Sequence, residues 1–289
     1  MKLTVLAAAK INISLDIVSK MDDGYHNIRT VMQSISLYDE VTVECLPGEG
    51  VVVETDLPYL PRDAKNIAAK TAVKFFEHTG IKGRRTRIRI KKNIPVCAGL
   101  GGGSADGACV LRLLDGIFET RLGIDTLREL GGSVGSDIPF CISGGTMLAE
   151  GRGDVLTALA PMPRCHVVIC KPPFAFGTAE LFGRVKCEKI RARPDTDGIL
   201  DSLGSGDLNG ITRRMYNVFE DVLTRGHRDI ENIKYTLLDE GALGAVMTGS
   251  GSAVFGIFDD EQRAQEAFDK LRSNYKECFL VETVEGLEI

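Results

Sequence analysis

The sequence predicts an α+β protein of two domains. Three observations lead there. The chain has 289 residues, about two domains at roughly 150 residues each. Strand-like stretches with a period of two alternate with helix-like stretches in both halves. The texture changes around Pro161-Met162-Pro163, which sets the expected domains at 1–160 and 161–289.

In the first half, AAKINISLDIVSK (8–20) alternates. Ala8, Lys10, Asn12 and Ser14 share one face, and Ala9, Ile11, Ile13 and Leu15 the other, the pattern of a half-buried strand. Asp23-Gly24 signals a hairpin turn. VTVECL (41–46) and VVVETD (51–56) flank Pro47-Gly48-Glu49-Gly50 and read as a second hairpin. Residues 63–79 read as a helix, with Asp63 in its opening turn and Gly80 after its end. RIRIKKNI (87–94) is a strand, followed by a glycine-rich loop and a helix starting near Ser104. The second half opens on the strand CHVVIC (165–170). Helical patterns follow at 178–185, 207–225 and 228–240, and residues 191–207 read as a mobile polar loop. GAVMTGSGSAVFGIF (244–258) is strand, Gly/Ser loop, strand. The helix EQRAQEAFDKLRS and the strand CFLVETV finish the chain. With the central helices merged into one layer, the order is β-α-β-β-α-β, which is ferredoxin-like.

Composition narrows the function classes. Apolar residues are 44% and charged residues 26%, enough for a packed core. The formal net charge of −5 lacks the basic surplus of a nucleic-acid binder. It leaves room for an anionic small substrate, because backbone amides and a few cations decide phosphate binding. The eight cysteines form no CxxC pair, so they predict neither a disulfide framework nor a zinc site, and they suit a reducing, cytoplasmic compartment. No apolar run reaches the length of a membrane span.

The strongest motif is PVCAGLGGGSADGA, residues 95–108. Gly99, Gly101, Gly102 and Gly103 precede Ser104 and a helix. Glycines let backbone N–H groups approach a phosphate, and the helix start adds unpaired donors and a positive dipole end. The alternative is a flexible loop with Ser104 as N-cap. The chain contains no Gly-Lys pair, which excludes a Walker A loop, and Ser104 stands where a dinucleotide fingerprint needs its third glycine. Lys10 reads either as an edge-strand lysine or as a site cation. Asp137, before Ile138-Pro139, reads as an N-cap or as a functional carboxylate. Asp106 reads as an acid of the helix's first turn or as a group near a metal ion. Thr178 lies where it can cap a helix.

The glycine loop resembles the second motif of the GHMP kinases. AAAKINISLDI resembles that family's first motif and MTGSGSAVFGIF its third, in the right order and across almost the whole chain. Lys10-Ile11-Asn12, Gly24-Tyr25-His26, Asn66, Gly135-Ser136-Asp137-Ile138-Pro139-Phe140 and Ala149-Glu150-Gly151-Arg152-Gly153 narrow the resemblance. They point to the family members that act on a cytidine diphosphate ester in the methylerythritol phosphate route to isoprenoids.

The resemblance implies an N-terminal ribosomal-S5-like domain, a C-terminal ferredoxin-like domain and an active site in the cleft between them. It implies ATP as phosphoryl donor with Mg²⁺, and a cytidine diphosphate ester phosphorylated at its 2-hydroxyl. ATP would lie against Pro95, Val96, Cys97, Ala98, Gly99, Leu100, Gly101, Gly102, Gly103, Ser104 and Ala105, with Asn66 as an adenosine contact and Lys92 as a further candidate. Lys10 and Asp137 would be catalytic, Asp137 as the base. Asn12, Tyr25, His26, Asp137 and Thr178 would bind the acceptor, with Phe182 a candidate aromatic partner for the cytosine. Two departures stand out: Ser104-Ala105 where relatives carry two serines, and Asn217-Val218-Phe219-Glu220 where Asn-Asp-Leu-Glu is expected. The rivals are a GHMP kinase for homoserine or mevalonate and a nucleotide-binding regulatory module on the same fold.

Overall fold

The computed structural model describes residues 1–224 and 227–286. In chain order the elements are β1 (Lys2–Lys20), β2 (His26–Pro47), β3 (Val51–Thr55), α1 (Ile67–Thr79), β4 (Arg84–Lys91), α2 (Gly102–Phe118), α3 (Ile124–Gly132) and α4 (Ile138–Ser143). Next come β5 (Thr146–Gly151), β6 (Val155–Ala158), β7 (His166–Lys171), α5 (Thr178–Arg184), α6 (Thr196–Ser205), α7 (Leu208–Thr212) and β8 (Tyr216–Asn217). The chain ends with α8 (His227–Asp239), β9 (Gly244–Met247), β10 (Val254–Phe258), α9 (Glu261–Arg272) and β11 (Glu277–Glu282). No helix among the described residues is long and apolar enough to cross a membrane.

The chain forms two compact units. One holds Met1–Ala9, Leu37–Ile94 and Gly101–Gly144; the other holds Lys10–Ser36, Pro95–Leu100 and the chain from Gly145 onward. The long strands β1 and β2 give residues to both.

In the first unit, β4 runs antiparallel to the second half of β2, from Glu40↔Lys91 to Pro47↔Arg84, and parallel to β3. The expected hairpin between 41–46 and 51–56 is therefore not formed, because β4 lies between those strands. Arg84 and Gly83 enter at the turn instead, where Gly48 N–H donates to Gly83 O and Thr86 N–H to Gly50 O. Val41, Val43, Val53, Ile88 and Ile90 are buried with Ala68, Ala72 and Phe75 of α1 and Leu111 and Leu114 of α2. Helix α1 begins at Ile67 rather than near 63, since Asp63 closes a preceding turn and Asn66 is the cap. Gly80 ends it with a φ of 70°, a left-handed residue that suits glycine.

The second unit contains the antiparallel sheet β11-β7-β10-β9. Numbered from β7 its order is fourth, first, third, second, so the ferredoxin-like expectation holds. Ile230, Ile233 and Leu237 of α8 and Ala264, Ala267 and Leu271 of α9 join Val168, Val254 and Phe258 in its core. The expected helix over 207–225 is broken into α7, the short β8 and a 3-10 turn at Val218–Val222; its residue 225 lies outside the described residues. Residues 191–207 are not simply a loop. Asp195 caps α6 by accepting from Gly198 N–H, and Ile199 and Leu203 are buried. Residues 10–20 of β1 also lie in this unit, and Ser14 and Leu15 pair with β8 in parallel.

Strand β1 corrects one more expectation. Its polar face is buried, not half-exposed: Lys10 is 3% and Asn12 1% exposed. Buried polar groups need partners, and here they find one another.

Candidate active site

In the second unit, the first motif, the start of the glycine loop and the third motif lock together. Lys10 Nζ donates to Asn12 Oδ1 at 2.7 Å, and Asn12 Nδ2 donates to Thr30 Oγ1 at 2.8 Å. The amide is thus oriented with its oxygen on the ammonium, which excludes the reading of Lys10 as a solvated edge lysine. Asn12 N–H donates to Thr248 Oγ1 at 3.1 Å, and Thr248 O faces Gly99 so closely that a Cβ there would lie 2.0 Å away. Only glycine fits position 99, whose φ of 78° also favours it. Lys10 N–H donates to Leu100 O, and Ala253 N–H to Ala98 O. Asn217 Nδ2 donates to Met247 O at 2.7 Å and Gly249 O at 2.8 Å, and so holds the third motif in shape. Glu220 Oε1 accepts from Met247 N–H at 2.8 Å. Between them, Val218 is 1% exposed in the apolar core. An acid there would be buried among hydrocarbon.

In the first unit, α2 starts at Gly102 with Gly101 as a left-handed N-cap that has no side chain to offer. Ser104 is therefore the third helical residue and not the cap. The first-turn N–H groups of Gly102, Gly103 and Ser104 have no intrahelical acceptor, so the turn is built to receive an anion from outside. Asp106 is not a first-turn acid. It points inward, and Lys92 Nζ donates to its Oδ2 at 2.8 Å and also to Asp39 Oδ2. Burial pushes the Asp106 carboxyl up to about 7, with Lys92 opposing and Asp39 adding to the rise. For Lys92 burial acts downward, but Asp106 and Asp39 outweigh it and raise its pKa.

Asp137 occupies the N-cap position of α4 but makes no capping hydrogen bond with its side chain, and Pro139 lies in the first turn. Asn66 caps α1: its Oδ1 accepts from Ala68 N–H at 2.9 Å and its Nδ2 donates to Pro61 O at 2.8 Å. Both ends of that amide are engaged in the fold.

A third group, again in the second unit, is aromatic. His26 stacks on Phe182 with ring centroids 5.1 Å apart, and Phe182 meets Phe219 edge-on at 4.9 Å. Burial, with Lys20 adding, holds the His26 imidazole below its ordinary value. Tyr25 is 59% exposed and lies under the Arg152 guanidinium at 4.3 Å; Arg152 also pairs with Asp23. Thr178 is the first residue of α5, after the N-cap Gly177, and its hydroxyl lies 2.8 Å from that of Ser250. It therefore joins the third motif rather than capping its helix.

Comparison with known proteins uses these same segments. The GHMP kinases N terminal domain matches residues 66–145, which include the glycine turn and Asp137, and the GHMP kinases C terminal domain matches residues 199–277. A 4-diphosphocytidyl-2-C-methyl-D-erythritol kinase of Clostridium botulinum is 40% identical over 278 residues, covering 96% of this chain and 99% of that protein. The chain belongs to the GHMP kinase family. Among solved members, a 4-(cytidine 5'-diphospho)-2C-methyl-D-erythritol kinase superposes with a TM-score of 0.82 at 29% identity, over 97% of this chain and 99% of the other. A homoserine kinase from Cytophaga hutchinsonii gives 0.75 at 20% identity, over 99% and 95%. That second likeness concerns the fold alone, so a GHMP fold does not by itself choose the acceptor.

Two sets of partnerships in the site escaped the sequence reading. Thr248 and Asn217 carry no chemistry of their own, and their partners lie far along the chain. The Asp39–Lys92–Asp106 cluster is the other. Lys92 and Asp106 were weighed singly, and nothing in the spelling of the strand around Asp39, which also holds Glu40 and Glu44, joined the three.

Proposed function

We propose that the protein transfers the γ-phosphoryl group of ATP to the 2-hydroxyl of 4-diphosphocytidyl-2-C-methyl-D-erythritol, a step in non-mevalonate isoprenoid precursor synthesis. The observation that carries the choice of acceptor is the 40% identity, along nearly the whole of both chains, to a relative with that name. The aromatic group supports it, because Tyr25, His26 and Phe182 offer the flat faces that a base stacks on. An acceptor such as homoserine or mevalonate has no use for them. The domains that carry these roles are 1–160 and 161–289.

The first turn of α2 receives the phosphates through its backbone N–H groups, with no Cβ at Gly101, Gly102 or Gly103 in the way. Asp137 accepts the proton of the attacking hydroxyl and fixes its direction. Lys10, steered by Asn12, offsets charge on the group in transfer. Mg²⁺ fits as the companion of ATP rather than as a resident ion. Among the described residues no three His, Cys, Asp or Glu side chains form a metal site, and Asp106 is turned onto Lys92. Mg²⁺ commonly keeps phosphate oxygens and water with few protein groups, and the Ser104 hydroxyl is the group this chain would offer it. When bound, the ion neutralises phosphate charge.

The deciding experiment measures ATP consumption with the cytidine diphosphate ester, homoserine, mevalonate and no acceptor. Turnover with the ester alone is expected. Turnover with homoserine or mevalonate in place of the ester would move the protein to another branch of the family.

A further inference from the structure

The end of β4 carries a charge cluster that the proposed chemistry does not use. The Lys92, Asp39 and Asp106 side chains are 4%, 0% and 6% exposed. Asp39 does more than pair with the ammonium. Its Oδ1 accepts the backbone N–H of Asn93 at 2.6 Å and of Ile94 at 2.9 Å. One fully buried carboxylate therefore holds the lysine head and the last two peptide N–H groups before Pro95, where the glycine-rich segment begins. The other end of the cluster touches the same motif. A Cβ placed on Gly102 would lie 3.3 Å from Lys92 Nζ, so the ammonium rests against the first residue of α2.

This is an unusual place for a buried cation. The start of a helix is the positive end of its dipole, so an ammonium there is disfavoured unless anions hold it. Buried ion clusters are also weak stabilisers compared with apolar residues of equal volume. Among the described residues no N–H or O–H donor reaches the buried Asp106 Oδ1, and such an unmet acceptor costs free energy whenever the carboxyl is ionised. An arrangement this poor as a stability device gains a purpose if a polyanion sits above it.

We propose that Asp39 is a positioning residue for the nucleotide phosphates, acting through Lys92 and through the peptide groups of Asn93 and Ile94. It fixes the path of the chain into the glycine loop and keeps a positive charge beneath the first turn of α2. Asp106 is the second tether of the same ammonium. The proposal rests on the reading that residues 95–105 hold the phosphates of ATP.

The test uses the full chain, with ATP affinity read by calorimetry and by the ATP-dependent rise in Tm. The parent must first show that rise; if it does not, the loop reading fails and this proposal falls with it. Asp39→Asn keeps the shape and an acceptor for both N–H groups but removes the charge. It is expected to weaken ATP binding and raise the KM for ATP by roughly tenfold, the upper range for residues that act without touching the ligand. The acceptor KM and kcat should stay near the parent values. Asp39→Asn/Lys92→Met removes both charges and so restores Tm lost through an unbalanced ammonium. Its ATP affinity should remain low, and it serves alone if the single variant does not fold. ATP affinity that recovers together with Tm in the double variant would reduce Asp39 to a fold-stabilising residue. Parent-like ATP affinity in either variant, or an acceptor KM that rises as much as that for ATP, overturns the proposal as well.

Discussion

Asp106 sets a stability signal that can be read without substrate. In the folded chain its carboxyl keeps its proton to about 7, against 3.8 for the ordinary side chain. The folded state therefore binds more protons across that window, and stability falls as pH rises through it. Asp106→Asn cannot titrate, so its Tm should fall less than the parent's between pH 4 and about pH 7; parallel melting curves across that range would refute the shift. Asp137 calls for a different measurement. Asp137→Asn keeps the size of the side chain and removes its basicity, so turnover should drop by roughly 10²–10⁴, the usual share of a general base. Turnover close to the parent's would take Asp137 out of the mechanism. Lys10 and Asn12 stand out because they interrupt an apolar strand, and the fold buries both; Asp137 stands out through its place in Gly135-Ser136-Asp137-Ile138-Pro139. Thr248 was not legible, since the N–H it receives comes from Asn12, 236 positions away. Asn66 shows the opposite limit. Its motif suggested a nucleotide contact, and the structure adds a role the spelling did not announce, with Oδ1 capping α1 and Nδ2 donating to Pro61 O.

At the scale of elements, the glycine turn was readable because its spelling has few other physical uses. The turn's exact frame was less so. Ser104 looked like the cap, but a left-handed Gly101 moves the helix start earlier, and only backbone dihedrals reveal that. Position 102 gives the turn a direct test. A Cβ there would already lie 3.0 Å from Ile94 Cγ2, and a β-branched side chain adds bulk that cannot rotate away. Gly102→Val should fold with a lower Tm and lose most of the ATP-dependent rise in Tm that linkage predicts for the parent. Protection by ATP equal to the parent's would place the phosphates elsewhere. The strands at 41–46 and 51–56 were misread because a short glycine turn between two alternating segments is the normal hairpin signal. Nothing local announces that β4 inserts between them. Residues 191–207 misled in the opposite way, since polar composition hid the Asp195 cap and the buried pair Ile199 and Leu203 of α6.

For the whole molecule, the α+β class and the β-α-β-β-α-β order of elements in the second half were legible because they depend on periodicity, which the chain spells clearly in both halves. The partners of β3 and the buried Asp39–Lys92–Asp106 cluster were not, because both are set by pairing over long sequence distances. The kinetic behaviour of the intact enzyme tests the reading that periodicity cannot reach, the choice of acceptor. If Tyr25, His26 and Phe182 receive a cytosine, the protein distinguishes two nucleotides, and CMP should compete with the acceptor and not with ATP. UMP should compete less well, because a site that pairs with an exocyclic amine leaves polar groups unmet when a carbonyl replaces it. Tyr25→Ala tests the same subsite from the protein side. The ring is 59% exposed and stacks under Arg152, so its loss should leave Tm almost unchanged. Removing a base-stacking face costs roughly 1–3 kcal/mol. A stack is made equally in the ground and transition states, so that loss belongs in the acceptor KM, with kcat and the KM for ATP held. Initial rates over both substrates, with and without CMP, decide the matter for parent and variant together. CMP competition against ATP alone, or an unchanged acceptor KM in Tyr25→Ala, would remove the cytidine subsite and leave a GHMP kinase that acts on a smaller alcohol.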